Sequence, residues 1–285
     1  MQPLILVTGK NGQLGSELAD ISAAYPAFEF AFYGRDELDI SSREQLTKVF
    51  TETAPAYVIN CSAYTAVDKA EAEKEKALAI NTEGVGLMAS LCKQYGAKFI
   101  HVSTDYVFNG NGTNPYETDD ATDPVNYYGY TKLLGEQLAL QNNEESIIIR
   151  TSWVYSQYGN NFVKTMIRLM TQRPEINVVS DQVGSPTYAK DLAEAIMQIV
   201  SSGAGFKPGI YHFSNAGIIS WYQFADMIKE LKGLHSVVHP IPTTAYPTPA
   251  KRPAYSVMSK DKIVADYGIV LRDWKDSLKE CLAKL

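Results

Sequence analysis

Short apolar runs rich in β-branched and aromatic residues alternate with longer amphipathic stretches through the first half of the chain. Leu4–Thr8, Glu29–Tyr33, Tyr57–Asn60, Lys98–Ser103 and Ser146–Thr151 read as strands, while helical spacing begins near Gln13, Ser42, Ala70 and Tyr127. Strands joined through helices pair in parallel, because a parallel neighbour needs a crossover long enough to return to the starting edge. The predicted fold class is therefore α/β, a doubly wound parallel sheet with its functional residues just after the strands. Past Thr151 the alternation weakens, Gly, Pro and Asn become frequent, and a helix closes the chain around Trp274–Leu285. Two units are expected: residues 1–150, and a smaller mixed α/β C-terminal lobe over 151–285 that binds substrate and is interleaved with the first.

Composition narrows the function classes. The 285 residues carry a net charge of −6 with no clustered Lys and Arg, which argues against a nucleic-acid partner. No run of apolar residues is long enough for a membrane span, and Met1-Gln-Pro leads into the first strand without a leader pattern, so a cytoplasmic, soluble protein is expected. Cys61, Cys92 and Cys281 stand far apart and read as buried thiols. His101, His212, His235 and His239 lack metal-ligand spacing and read as packed or surface rings.

Directly after the first strand comes Gly9-Lys-Asn-Gly12-Gln-Leu-Gly15. Glycines there allow a tight turn and a close approach to a pyrophosphate, and the helix that follows offers free N–H groups, the Rossmann arrangement for a dinucleotide. Asn11, Gln13 and Leu14 belong to the same candidate cradle. At the end of the second strand Gly34-Arg35-Asp36 occupies the position that recognises the adenosine ribose; Arg35 suits the 2′-phosphate of NADPH, while Asp36 keeps NADH open. The segment Tyr128-Gly-Tyr-Thr-Lys132 sets a phenol and an ammonium on one helix face, a pairing in which the cation lowers the phenol pKa and can also hold a ribose. Ser103-Thr104-Asp105-Tyr106 ends a strand of the same sheet and brings the Thr104 hydroxyl towards that pair.

Together these segments resemble the extended short-chain dehydrogenase/reductase superfamily. Within it, Cys61–Glu71, His101–Phe108, Arg150–Tyr155, Gly159–Thr165, Asp181–Thr187 and Thr248–Pro253 are similar to the dTDP-4-dehydrorhamnose reductase family, in family order over nearly the whole chain. The resemblance implies reduction of the C4 ketone of dTDP-4-dehydro-L-rhamnose with NADPH, the last step in making dTDP-L-rhamnose for surface polysaccharides. It implies Tyr128 as proton donor, Thr104 as a second hydrogen-bond partner of the same oxygen, and Lys132 as the group acidifying the tyrosine. For the cofactor it implies Gly12, Gln13 and Leu14 at the pyrophosphate, Asp39 and Ile40 near the adenine, Ala63, Tyr64 and Thr65 along the cleft, and Val102 behind the nicotinamide. Asp105 and Trp153 are implied at the sugar, with Arg252, Lys164 and Arg168 as candidates for the diphosphate.

Sugar dehydratases of similar fold place a glutamate directly after the Thr-Asp pair, where this chain has Tyr106, so reduction fits better than dehydration. Some members of the resembled family dimerise through magnesium held by acidic residues near Tyr188–Asp191. Lys190 here opposes a divalent cation; no metal is expected, and a homodimer is left open. Two other readings remain at this stage: a non-catalytic, nicotinamide-binding regulatory subunit, and a reductase or epimerase of another nucleotide sugar.

Overall fold

The computed structural model describes residues 2–285. Its first half runs β1 (Leu4–Thr8), α1 (Gln13–Ile21), β2 (Glu29–Tyr33), α2 (Arg43–Thr53), β3 (Tyr57–Asn60), α3 (Val67–Ala70), α4 (Lys74–Leu78), α5 (Gly84–Tyr95), β4 (Lys98–Thr104), α6 (Tyr127–Asn142) and β5 (Ile147–Thr151). The second half runs β6 (Val154–Tyr155), α7 (Phe162–Gln172), β7 (Glu175–Val179), β8 (Val183–Gly184), β9 (Thr187–Tyr188), α8 (Ala189–Val200), β10 (Gly209–Phe213), β11 (Ile219–Ser220), α9 (Trp221–Lys232), β12 (Val237–Ile241), α10 (Asp261–Tyr267) and α11 (Trp274–Leu282).

Six strands form one parallel sheet in the order β10-β5-β4-β3-β1-β2. Because successive strand residues point to opposite faces, one face packs Ile5, Val7, Ile59 and Ile100 against α1 and α8, and the other packs Leu6, Val58, Phe99 and Ile148 against α2 and α5. The strand order turns back at β1, so the crevice lies beyond the carboxyl ends of β1, β3 and β4. In the second half, three two-stranded pairings and the helices α7, α9 and α11 surround a separate core that includes Tyr155, Val163, Phe224 and Trp274.

Three details depart from the sequence reading. The helix expected from Ala70 is broken into α3, α4, a π-helical turn at Ala79–Glu83, and α5. That turn is held by Asn81, whose amide accepts from Tyr64 N–H at 2.8 Å and donates to the Tyr64 carbonyl and to Thr131, each at 3.1 Å; wide turns of this kind mark functional positions. The sheet takes its sixth strand, β10, from beyond residue 200. Helix α9 is capped by Ser220 and Gln223 in a reciprocal capping box, and the pattern of Ser214-Asn-Ala-Gly217 before it, which as sequence suits a turn and cap, instead uses Asn215 to accept from Tyr188 N–H.

Candidate active site

The fingerprint turn leaves no room for side chains. Gly9 has φ +75°, and a Cβ there would lie 2.8 Å from the Cys61 backbone; one on Gly15 would lie 2.3 Å from the Gly9 carbonyl oxygen. Gly12 caps α1 without a side-chain acceptor, so the first N–H groups of the helix face the crevice unpartnered. The side chains of Gln13 and Leu14 are committed elsewhere: Gln13 donates to the Val154 carbonyl and accepts from Asn161, and Leu14 is core. At these two positions the backbone is what remains for a pyrophosphate. The Asn11 amide lies 2.8 Å from the place a Cβ on Gly34 would take, at the end of β2.

Arg35 projects into solvent at that strand end. Beside it Lys10, unnoticed in the sequence, pairs with Glu37 at 2.6 Å, and Glu37 also accepts from Gly34 N–H. Asp39 folds its carboxylate onto Ser41 N–H and Oγ, which holds it below the usual carboxylate range, and Ile40 is buried. The loop after β3 carries Ala63, Tyr64 and Thr65, with Tyr64 clamped by Asn81 as described above.

Asn126 caps α6 by accepting from Gly129 N–H, and its amide donates to the Lys251 carbonyl, which pins the start of the tyrosine helix to the second lobe. Tyr128 and Lys132 follow on that helix. Thr104, at the end of β4, is buried and donates to Asp105 Oδ1 at 3.0 Å. Burial pushes the Tyr128 phenol up to about 12, with the Thr104 hydroxyl pulling the other way. The expected acidification by Lys132 is not seen in the protein alone: desolvation and the Asp105 charge both raise the phenol, and only the Thr104 hydrogen bond lowers it. Lys132 itself is pushed down to about 8 by burial; its Nζ donates to the Val102 carbonyl at 2.7 Å and lies 3.2 Å from His101 Nε2. Asp105 is raised to about 6 by burial, and its Oδ2 has no hydrogen-bond partner.

Behind these groups lies an ion pair that sequence reasoning missed. Glu136, one turn after Lys132, receives two Arg150 nitrogens at 3.0 and 2.7 Å, both side chains being almost fully buried, and also accepts from Ser103 Oγ. The sheet register puts Ser103 beside Arg150, which is why the pair closes here.

Trp153 has φ +48°, rare for a bulky residue, and stacks on Trp221 with ring centroids 3.6 Å apart. Gly184 makes the room, since a Cβ there would meet the Trp153 ring at 2.7 Å. Trp221 also walls a cavity of about 510 Å³ between α7, β7, β12 and the 245–252 loop, bordered by Gln182, Arg173 and Arg252. Arg252 is held by Asp68 through two contacts of 2.8 and 2.7 Å, so its guanidinium is already paired. Lys164 donates to the Gly159 carbonyl and Arg168 is exposed; neither borders the cavity. Of the cysteines, Cys92 and Cys281 are buried and Cys61 is intermediate. Lys190 sits between Glu280 at 2.7 Å and Glu194 at 3.7 Å. Among the described residues no helix is long and apolar enough to cross a membrane.

A family model described as the RmlD substrate binding domain matches residues 1–285. The chain belongs to that family. Among its relatives, the spore coat polysaccharide biosynthesis protein SpsK of Bacillus subtilis is 44% identical over 98% of this chain and 96% of its own length. The dTDP-4-dehydrorhamnose reductase of Burkholderia thailandensis is 40% identical over 99% of this chain and 98% of its own. Among solved structures, the dTDP-4-dehydrorhamnose reductase of Bacillus anthracis in complex with NADP superposes with a TM-score of 0.95 at 37% identity, all of both chains being covered. The family match and the TM-score of 0.95 thus set the fold of this chain beside that of dTDP-4-dehydrorhamnose reductases.

Proposed function

We propose that this chain reduces the C4 ketone of dTDP-4-dehydro-L-rhamnose to dTDP-L-rhamnose with NADPH, NADH being the weaker alternative. The observation that carries the reading is the convergence of Thr104, Tyr128 and Lys132 at the carboxyl edge of the sheet, beside a glycine turn tight enough to bring backbone N–H groups against a pyrophosphate. Bound NADPH supplies the hydride that attacks the ketone carbon. Tyr128, kept fully protonated at neutral pH by its burial, gives its phenolic proton to the carbonyl oxygen as that oxygen takes up the electron pair, so C=O becomes CH–OH. Thr104 stands beside the phenol and orients the same oxygen. Lys132, fixed to the Val102 carbonyl, has further N–H valence for a ribose hydroxyl.

For the substrate, the 510 Å³ cavity supplies an apolar chamber of nucleotide size with Arg173 and Gln182 at its rim. Trp221 walls that chamber and stacks on Trp153, and in this reading Trp153 and Asp105 face the sugar. Arg252 borders the chamber while paired with Asp68, and its contribution to the diphosphate is as a held wall, or after release from that pair. Residues 1–150, with β10, serve the cofactor, and the remainder of 151–285 serves the substrate. The test is loss of reduced-nicotinamide absorbance with dTDP-4-dehydrorhamnose generated in situ, NADPH and NADH in parallel, and product identified as dTDP-rhamnose. Tight NADPH binding without turnover of this sugar would sink the assignment of substrate.

A further inference from the structure

The sheet register places Thr8, Asn60 and His101 side by side on β1, β3 and β4, in one row across the floor of the crevice. The three side chains are hydrogen-bonded in that order, and the row ends on Lys132. Thr8 Oγ1 lies 2.7 Å from Asn60 Oδ1, Asn60 Nδ2 lies 2.9 Å from His101 Nδ1, and His101 Nε2 lies 3.2 Å from Lys132 Nζ. His101 and Asn60 are completely buried and Lys132 nearly so.

One contact fixes the direction of the row. The Ser62 backbone N–H, which can only donate, reaches Asn60 Oδ1 at 3.0 Å, so the oxygen of that amide faces Ser62 and its NH₂ group faces the imidazole. An amide NH₂ also only donates, so His101 Nδ1 must accept. The neutral ring then carries its proton on Nε2, pointing at Lys132. An ammonium there would set N–H against N–H; a neutral amine accepts the imidazole proton and still donates to the Val102 carbonyl.

From this geometry we infer that His101 is a positioning residue for Lys132: held by Asn60 as the Nε2–H tautomer, it opposes the charged lysine with a donor and so sets the upper end of the pH range over which Lys132 is an ammonium. Desolvation acts in the same direction and brings the lysine down to about 8. The other groups facing Lys132 do not reverse this. Glu136 on its own helix favours the charge but is spent on Arg150 of β5; the Cys61 thiol after β3 is kept neutral by burial; Tyr128, one turn earlier, is neutral at these pH values. Burial likewise pushes His101 well below its ordinary value, so the ring itself stays uncharged. The kinetic consequence rests on the reductase reading: with the ammonium as the working form, reduction declines as pH rises through the lysine pKa.

Two arms test the inference separately. In protein labelled with ¹⁵N-histidine, with His101→Gln used to assign the signals among the four histidines, His101 is expected as the neutral Nε2–H tautomer at every pH from about 6 to about 9. An Nδ1–H ring or an imidazolium overturns the inference. In the second arm the alkaline limb of kcat for NADPH-dependent reduction is compared with that of Asn60→Asp. The carboxylate keeps the Ser62 contact but accepts from Nδ1–H, which turns Nε2 into an acceptor for the ammonium, and the limb is expected to rise by about one pH unit or more. Superimposable limbs overturn it. His101→Gln, whose amide oxygen can face the ammonium, gives the same rise where Asn60→Asp fails to fold. If the keto-sugar is not turned over, the second arm falls with the reductase reading while the tautomer arm still decides the first.

Discussion

Asp105 carries its charge against its surroundings. The side chain is 3% exposed, Oδ2 has no hydrogen-bond partner, and the carboxyl is raised from 3.8 to about 6, desolvation being the largest cause. A carboxyl whose folded pKa is raised contributes stability that is fully present below its unfolded value and is lost as pH rises through the folded one. Above about pH 6 the ionised group therefore costs the fold up to about 3 kcal/mol, two pKa units at about 1.4 kcal/mol each. Asp105→Asn removes that cost and keeps an acceptor for Thr104, but buries an amide NH₂ without a partner, which returns about 1 to 2 kcal/mol. The net expectation is a variant about 1 to 2 kcal/mol more stable than wild type at about pH 8. With an unfolding entropy near 0.6 kcal/mol/K for a chain of 285 residues, Tm rises by about 2 to 3 °C. Urea denaturation at about pH 8 and about pH 4 checks the origin of the gain, because both proteins are uncharged at this position in acid and the gain should vanish there. The same variant should lose about tenfold or more in kcat/KM, the worth of a hydrogen bond to a charged group. A stability difference independent of pH, or a variant less stable than wild type at pH 8, would refute the account of Asp105 as a strained, ionised group held for its function.

Three further outcomes follow from the site. Tyr128→Phe should cut kcat by at least about 100-fold while NADPH affinity, read by fluorescence titration, stays within about threefold; near-normal turnover would remove Tyr128 as the proton donor. Arg150→Met leaves the Glu136 carboxylate buried without its charge partner and should cost about 3 to 5 kcal/mol, a Tm lower by about 5 to 8 °C, much of which Glu136→Leu should restore in the double variant; a silent single variant would show that the pair is not the buried, dry contact described. Gly15→Ala places a methyl within 2.3 Å of the Gly9 carbonyl and should weaken NADPH binding by at least about tenfold, which isothermal calorimetry would contradict by showing unchanged affinity.

What the sequence disclosed about this molecule follows the range of the interactions involved. β1 to β4 and the fingerprint turn are legible because period, breakers and the glycine spacing are local, and strand ends fell within a residue of their observed positions. The break between Ala70 and Gly84 was not, because it depends on Asn81 reaching Tyr64 and Thr131, residues far from it along the chain. The strand Gly209–Phe213 was hidden for a similar reason: it adds to the edge of the sheet beside β5, which lies some sixty residues earlier in the chain. Among site residues, Thr104, Tyr128 and Lys132 announce themselves by type and spacing. Their supports do not. His101 reads as a lone histidine and Asn60 as a strand end until register sets them in one row, and Arg252 reads as a free cation until Asp68, 184 residues away, is found beside it.

The site also bears on why reduction suits it better than chemistry that needs a base. Where related dehydratases carry a glutamate, Tyr106 packs edge-on against Tyr128 with centroids 5.7 Å apart, and burial drives its phenol above its ordinary value, so it takes no proton at neutral pH. Glu136 is neutralised by Arg150, and Asp68 by Arg252. The remaining carboxylate, Asp105, already accepts the Thr104 hydroxyl and so serves to orient the group beside the proton donor. A ketone reduction asks for one proton delivered to one oxygen. In this crevice the Tyr128 phenol is placed to deliver it, Glu136 and Asp68 are each held by an arginine, and Asp105 is engaged by the Thr104 hydroxyl through Oδ1 alone.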